Sequence, residues 1–94
     1  MESLLFLIYF NWSGTSAELK EYIDRFKVIW DETEGIEFKD VYNTMGGGWN
    51  AVILLEGSWD ASMKAWSTYL NKYGRPQNVT LSKAEILVKR RLDV

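Results

Sequence analysis

Apolar side chains recur along the chain with two different periods, and their alternation predicts six elements in the order βαββαβ. Leu4 to Trp12, "LLFLIYFNW", is a nearly unbroken branched and aromatic run stopped by Ser13-Gly14, as expected of a central strand covered on both sides. Its two faces differ. Leu4, Phe6, Ile8 and Phe10 make one, whereas Leu5, Leu7, Tyr9 and Asn11 make another that turns polar towards its end. Thr15-Ser16-Ala17-Glu18 is a capping box, so a helix begins there. Leu19, Tyr22, Ile23, Phe26, Ile29 and Trp30 then follow at helical spacing, and Gly35 stops the helix.

Ile36 to Met45 reads as an edge strand whose phase changes across Lys39-Asp40, the mark of a bulge. "WNAVILLE", Trp49 to Glu56, is a second buried strand. Ser58-Trp59-Asp60 opens a second helix with Met63, Trp66 and Leu70 as its expected inner stripe, ended by Gly74-Arg75-Pro76. From about Val79 to Leu92, Ala84, Ile86 and Val88 alternate with Lys83, Glu85, Leu87 and Lys89, which predicts a last strand. The fold class that follows is α+β: a ferredoxin-like βαββαβ sandwich with a four-stranded antiparallel sheet of order 4-1-3-2 and both helices on one face. Its expected extent is one domain, residues 1–94.

The stretch "NTMGGGWN" between the second and third strands lacks the Lys-Ser or Lys-Thr ending of a phosphate loop and is followed by a strand, not a helix. Gly46 to Gly48 therefore read as a hairpin loop; the functional alternative is a flap that carries Trp49.

Composition narrows the chemistry. There is no Cys and no His, which removes thiolate and imidazole nucleophiles, the usual zinc ligands and the commonest haem ligand; no metal site and no cofactor are expected. Eleven Lys and Arg stand against thirteen Asp and Glu, for a net charge of -2, and the only basic run is the short Lys89-Arg90-Arg91, so no nucleic-acid partner is expected. The first apolar run is too short to span a membrane and lacks the flanks of a signal peptide, which predicts a cytoplasmic protein with no membrane partner; Asn78-Val79-Thr80 is then an idle glycosylation pattern.

If both helices cover the face that carries Phe6, Ile53 and Ile86, the other face leaves Leu5, Leu7, Val52, Leu54 and Leu87 bare among Tyr9, Asn11, Asn50, Glu56, Lys83 and Glu85. So much apolar surface predicts a homodimer paired through this helix-free face. Short βαββαβ chains with a first strand like "LLFLIYFNW" and a Trp on the second helix, as in "MKAWSTYL", resemble the dimeric α+β barrel superfamily, over essentially the full length. The resemblance implies a fold shared with antibiotic-biosynthesis-type monooxygenases, haem-degrading enzymes, muconolactone isomerase-like proteins and chlorite dismutase relatives, several of which place ligands between helices and sheet. The haem-degrading group combines an Asn on the first strand, a Trp on the second helix and an iron-binding His. Asn11 and Trp66 fall on similar positions, but the His is missing.

The candidate catalytic set is Glu56 or Glu85 as base, with Tyr9 and Asn11 as hydrogen-bonding groups, on the expectation that the first and third strands run parallel and bring Glu56 to the Tyr9 end. The plain reading of the same carboxylates is that they solubilise an edge and a strand end. On the same expectation Trp12 and Trp59 join the Tyr9 group as ligand-binding residues, while Trp49 lies at the far end and is a ligand-binding candidate only through a barrel-forming partner that brings a second copy of it near. Trp66 is either core or a ligand contact. Two functions follow: a cofactor-independent, monooxygenase- or isomerase-like enzyme on a small aromatic or apolar molecule, or a module that binds a small ligand or builds an assembly without chemistry.

Overall fold

The computed structural model describes residues 3–44 and 48–88. The elements are β1 (Leu4–Trp12), α1 (Ser16–Glu32), β2 (Ile36–Tyr42), β3 (Ala51–Gly57), α2 (Trp59–Tyr73) and β4 (Val79–Val88), in the predicted order. Met45 to Gly47, in the expected hairpin loop, and residues 89–94, which include the basic run and the expected end of the last strand, lie outside the described residues.

Both helices start where side-chain caps allow it. The Thr15 hydroxyl accepts the Glu18 N–H while the Glu18 carboxylate accepts the Thr15 N–H, completing the capping box. Ser58 caps α2 through the Ala61 N–H. Gly35 and Gly74 both take positive φ, of 93° and 74°, where the chain leaves a helix. β3 ends on Gly57 because a side chain there would come within 2.6 Å of the Ile36 Cα across the sheet.

The sheet runs β2-β3-β1-β4, and every neighbouring pair is antiparallel. The phase change in β2 is a break in register between Phe38 and Asp40, as the pattern predicts. Phe6, Phe10, Ala51, Ile53 and Leu55 are buried under the helices, where Phe26 stacks on Trp30 at 3.8 Å and both meet Trp66 edge to face. On the other face Leu5, Leu7, Tyr9, Val52, Leu54 and Glu56 are half-buried. Among the described residues no helix is long and apolar enough to cross a membrane.

Two expectations about burial are corrected. The inner face of α2 is Ala61, Ser62, Ala65 and Tyr69, and Met63 and Leu70 are each 42% exposed. Phe26 and Trp30 of α1 already fill much of the layer above the sheet, so α2 presents small residues there and completes the packing with the buried Tyr69 ring and, at its margin, the half-buried Trp66. The helix-side residues of β4 also stay outside the core: Ile86 and Val88 are 41% and 47% exposed and Ala84 is exposed, because β4 is an edge strand beyond the helical cover.

Candidate functional site

β1 and β3 are antiparallel, with Leu5 opposite Glu56 and Tyr9 opposite Val52. The expected parallel arrangement of these strands is therefore wrong, and the candidate set divides. Glu56 lies four residues from Tyr9 along the sheet, about 14 Å at strand rise. It sits instead 3.8 Å from the Lys39 ammonium, which also approaches Glu37. The reason is topological: a strand joined to its neighbour through a helix and a hairpin returns in the opposite sense.

At the Tyr9 end the tryptophans are exchanged. Trp49 packs on Tyr9 with ring centres 6.4 Å apart, whereas Trp59 packs on Phe6 at the other end and is 49% exposed. Lys83, opposite Tyr9 on β4, places its ammonium 5.6 Å from the Tyr9 ring centre and pairs with Glu85 at 3.2 Å. The Asn11 amide donates to the Gly48 carbonyl at 2.6 Å. Asn50 clamps Trp12 from both sides, accepting its N–H and donating to its carbonyl. Tyr9, Asn11, Trp49, Lys83 and Glu85 thus share one end of the helix-free face, and the Glu85 carboxylate there is held by a cation.

The helix side carries a second arrangement. A cleft of about 290 Å³ opens between α2, β1 and β4, lined by Ile8, Phe10, Tyr22, Trp66, Val79 and the Arg75-Pro76 turn. This is at the lower edge of the size of small-molecule sites, and its walls are mainly apolar. Trp66 lines it from α2, while its ring edge or face meets Phe26 and Trp30 at 5.4 and 4.9 Å, so the indole is oriented by the core it borders.

Next to it, and sharing Tyr22, Arg75 and Pro76, lies a more polar cleft of about 330 Å³ lined also by Trp12, Glu18, Glu21, Arg25, Tyr69 and Tyr73. Trp12 reaches it from the end of β1, stacked on Tyr22 with ring centres 5.4 Å apart and its indole N–H bound to the Thr15 carbonyl. Burial pushes the Tyr22 phenol well above its ordinary range, with neighbouring Tyr69 adding to the effect. Tyr69 is raised by burial as well, against an opposing pull from Arg25. Sequence reasoning placed Tyr22 on the apolar stripe of α1 and did not single out Tyr69. The available signal was Arg25 one turn after Tyr22 and Arg75 just beyond the Tyr69 and Tyr73 turn, cations set beside phenols at a helix end.

No group of three or more Asp and Glu that could hold a metal ion occurs among the described residues. No protein-family model and no curated protein matches the chain. Solved structures do. A dabb-family protein with a ferredoxin-like fold from Mesorhizobium loti superposes with a TM-score of 0.67 at 14% identity, over 97% of this chain and 100% of that one. SnoaB, a cofactor-independent oxygenase from Streptomyces nogalater, gives 0.68 at 15% identity over 98% and 97%. A dimeric ferredoxin-like protein of unknown function from Thermobifida fusca gives 0.60 at 10% identity over 93% and 91%. With the sheet order and the placement of both helices, these likenesses show that the chain has a ferredoxin-like α+β fold.

Proposed function

We propose that this protein is a homodimer paired through its helix-free sheet face and acts on a small aromatic or apolar molecule without a cofactor, in the manner of an oxygenase or isomerase. The observation that carries the reading is the cleft between helices and sheet in which Trp66 stands among Ile8, Phe10 and Tyr22, an apolar slot with aromatic walls. Its likeness in fold to SnoaB supports the oxygenase form of the reading. In this reading Tyr9, Asn11, Trp49 and Glu85 belong to the dimer contact and are covered by pairing, Glu56 takes no part in the chemistry, and Trp59 lies outside the ligand site.

Oxygen uptake tests the activity, using hydroxylated arenes of one to three rings as substrates. The expected result is uptake in proportion to substrate consumed, lost in Trp66→Ala and kept in Glu56→Gln. A second reading is favoured by the pairing of Glu85 with Lys83 and of Glu56 with Lys39, which leaves these carboxylates neutralised by cations: a module that binds the same molecules and does not transform them. Quenching of tryptophan fluorescence by the arenes without oxygen uptake or product would decide for it.

A further inference from the structure

Tyr22 and Tyr69 are 6% and 2% exposed, yet neither phenol has a hydrogen-bond partner among the described residues. Neither oxygen is sealed off either: the one buried side-chain nitrogen or oxygen without a partner among the described residues is the Trp30 indole nitrogen. Both tyrosines line the polar cleft, so their hydroxyls have that space to open into. A phenol is protonated, and able to donate, through the neutral range, and burial moves both further from ionisation.

The charged groups around the cleft are unevenly occupied. Glu18 is engaged in the helix cap and accepts the Asn78 amide at 3.3 Å, and Glu21 pairs with Arg25, whose guanidinium also lies 5.5 Å from the Tyr73 ring centre. Arg75 has no carboxylate partner among the described residues, and it lines both clefts. The apolar slot beside Trp66 therefore shares Tyr22, Arg75 and Pro76 with an adjacent cleft in which two phenols and one guanidinium have no hydrogen-bond or ion-pair partner among the described residues.

We propose that the two adjacent clefts together take one aromatic carboxylate across the Tyr22 and Arg75 that they share, its ring system beside Trp66 and its carboxylate accepting from Arg75 and from the Tyr22 and Tyr69 hydroxyls. An arginine fork with added hydroxyl donors suits a planar oxyanion better than a neutral oxygen. The inference rests on the reading that the slot beside Trp66 holds the ligand, and it adds the chemical class of that ligand.

Binding of 2-naphthoate and of the neutral 2-naphthamide, followed calorimetrically on the full chain, tests it. Naphthoate is expected to bind at least about tenfold more tightly, the effect of a hydrogen-bonded charge. Arg75→Gln and Tyr69→Phe should each remove most of that preference while the naphthamide affinity stays put. Both variants change groups without internal partners, and thermal unfolding checks that they fold. Equal binding of the two probes, or a preference untouched by Arg75→Gln, overturns the carboxylate subsite and leaves the apolar slot standing. No binding of either probe overturns both.

Discussion

Thr15 and Glu18 show how much one local pair can settle. The threonine caps α1 and the glutamate answers it, so the helix start needs no tertiary contact to be placed. Hydrogen bonds from the Thr15 N–H and hydroxyl hold the Glu18 carboxyl below its ordinary value of 4.5. A carboxyl whose folded pKa is depressed adds stability above its unfolded pKa and loses it as the pH falls through the folded one. Glu18→Gln should therefore flatten the acid limb of stability below about pH 4.5 and leave its shape near neutrality unchanged, which urea titrations across that range would show. Thr15→Ala should cost about 1 kcal/mol at neutral pH in the same assay. Other residues were only half legible. Asn11 and Asn50 could be read as polar groups at strand ends, but their bonds to Gly48 and Trp12 cross from one strand to the next and depend on the sheet's register.

At the scale of elements, α2 separates pattern from packing. Its sequence offers two inward faces, one of Met63, Trp66 and Leu70 and one of Ala61, Ser62, Ala65 and Tyr69, and the first is the more hydrophobic. The second is buried and only Trp66 of the first packs against the core, because a helix above a layer already holding Phe26 and Trp30 has room inside for small side chains and the Tyr69 ring. Urea unfolding should reverse the order that hydropathy suggests. Met63→Ala and Leu70→Ala are expected to cost under about 1 kcal/mol each, whereas Ala65→Leu, which must force a larger side chain into the packed layer, should cost about 1 to 3 kcal/mol. A large loss in Leu70→Ala would return the helix to its other face. α1 posed no such choice, since Tyr22, Phe26, Ile29 and Trp30 make its one aromatic stripe and are all buried.

At the scale of the molecule, a single layer of helices covers one side of the sheet, and Leu5, Leu7, Val52 and Leu54 are left half-buried on the other. Leu7 and Leu54 stand opposite each other on the two central strands, so a charge at either lies at the middle of that face. Sedimentation is expected to find a dimer for the unaltered chain and a folded monomer for Leu54→Lys. A monomeric unaltered chain, or a dimer that survives Leu54→Lys, would remove the sheet face as the contact. By itself the sequence determined the order of elements, both helix starts, the bulge in β2 and the face assignment of β1 and β3, because each follows from the period of neighbouring residues or from a cap within one turn. Only the tertiary structure decided which flank of α2 is core, that Trp49 and not Trp59 meets Tyr9, that Glu56 lies far from both, and that Tyr22, Tyr69, Arg25 and Arg75 border one cleft. Those depend on strand direction and on which side chain already occupies a volume, and neither is encoded in the spacing of residues along one element.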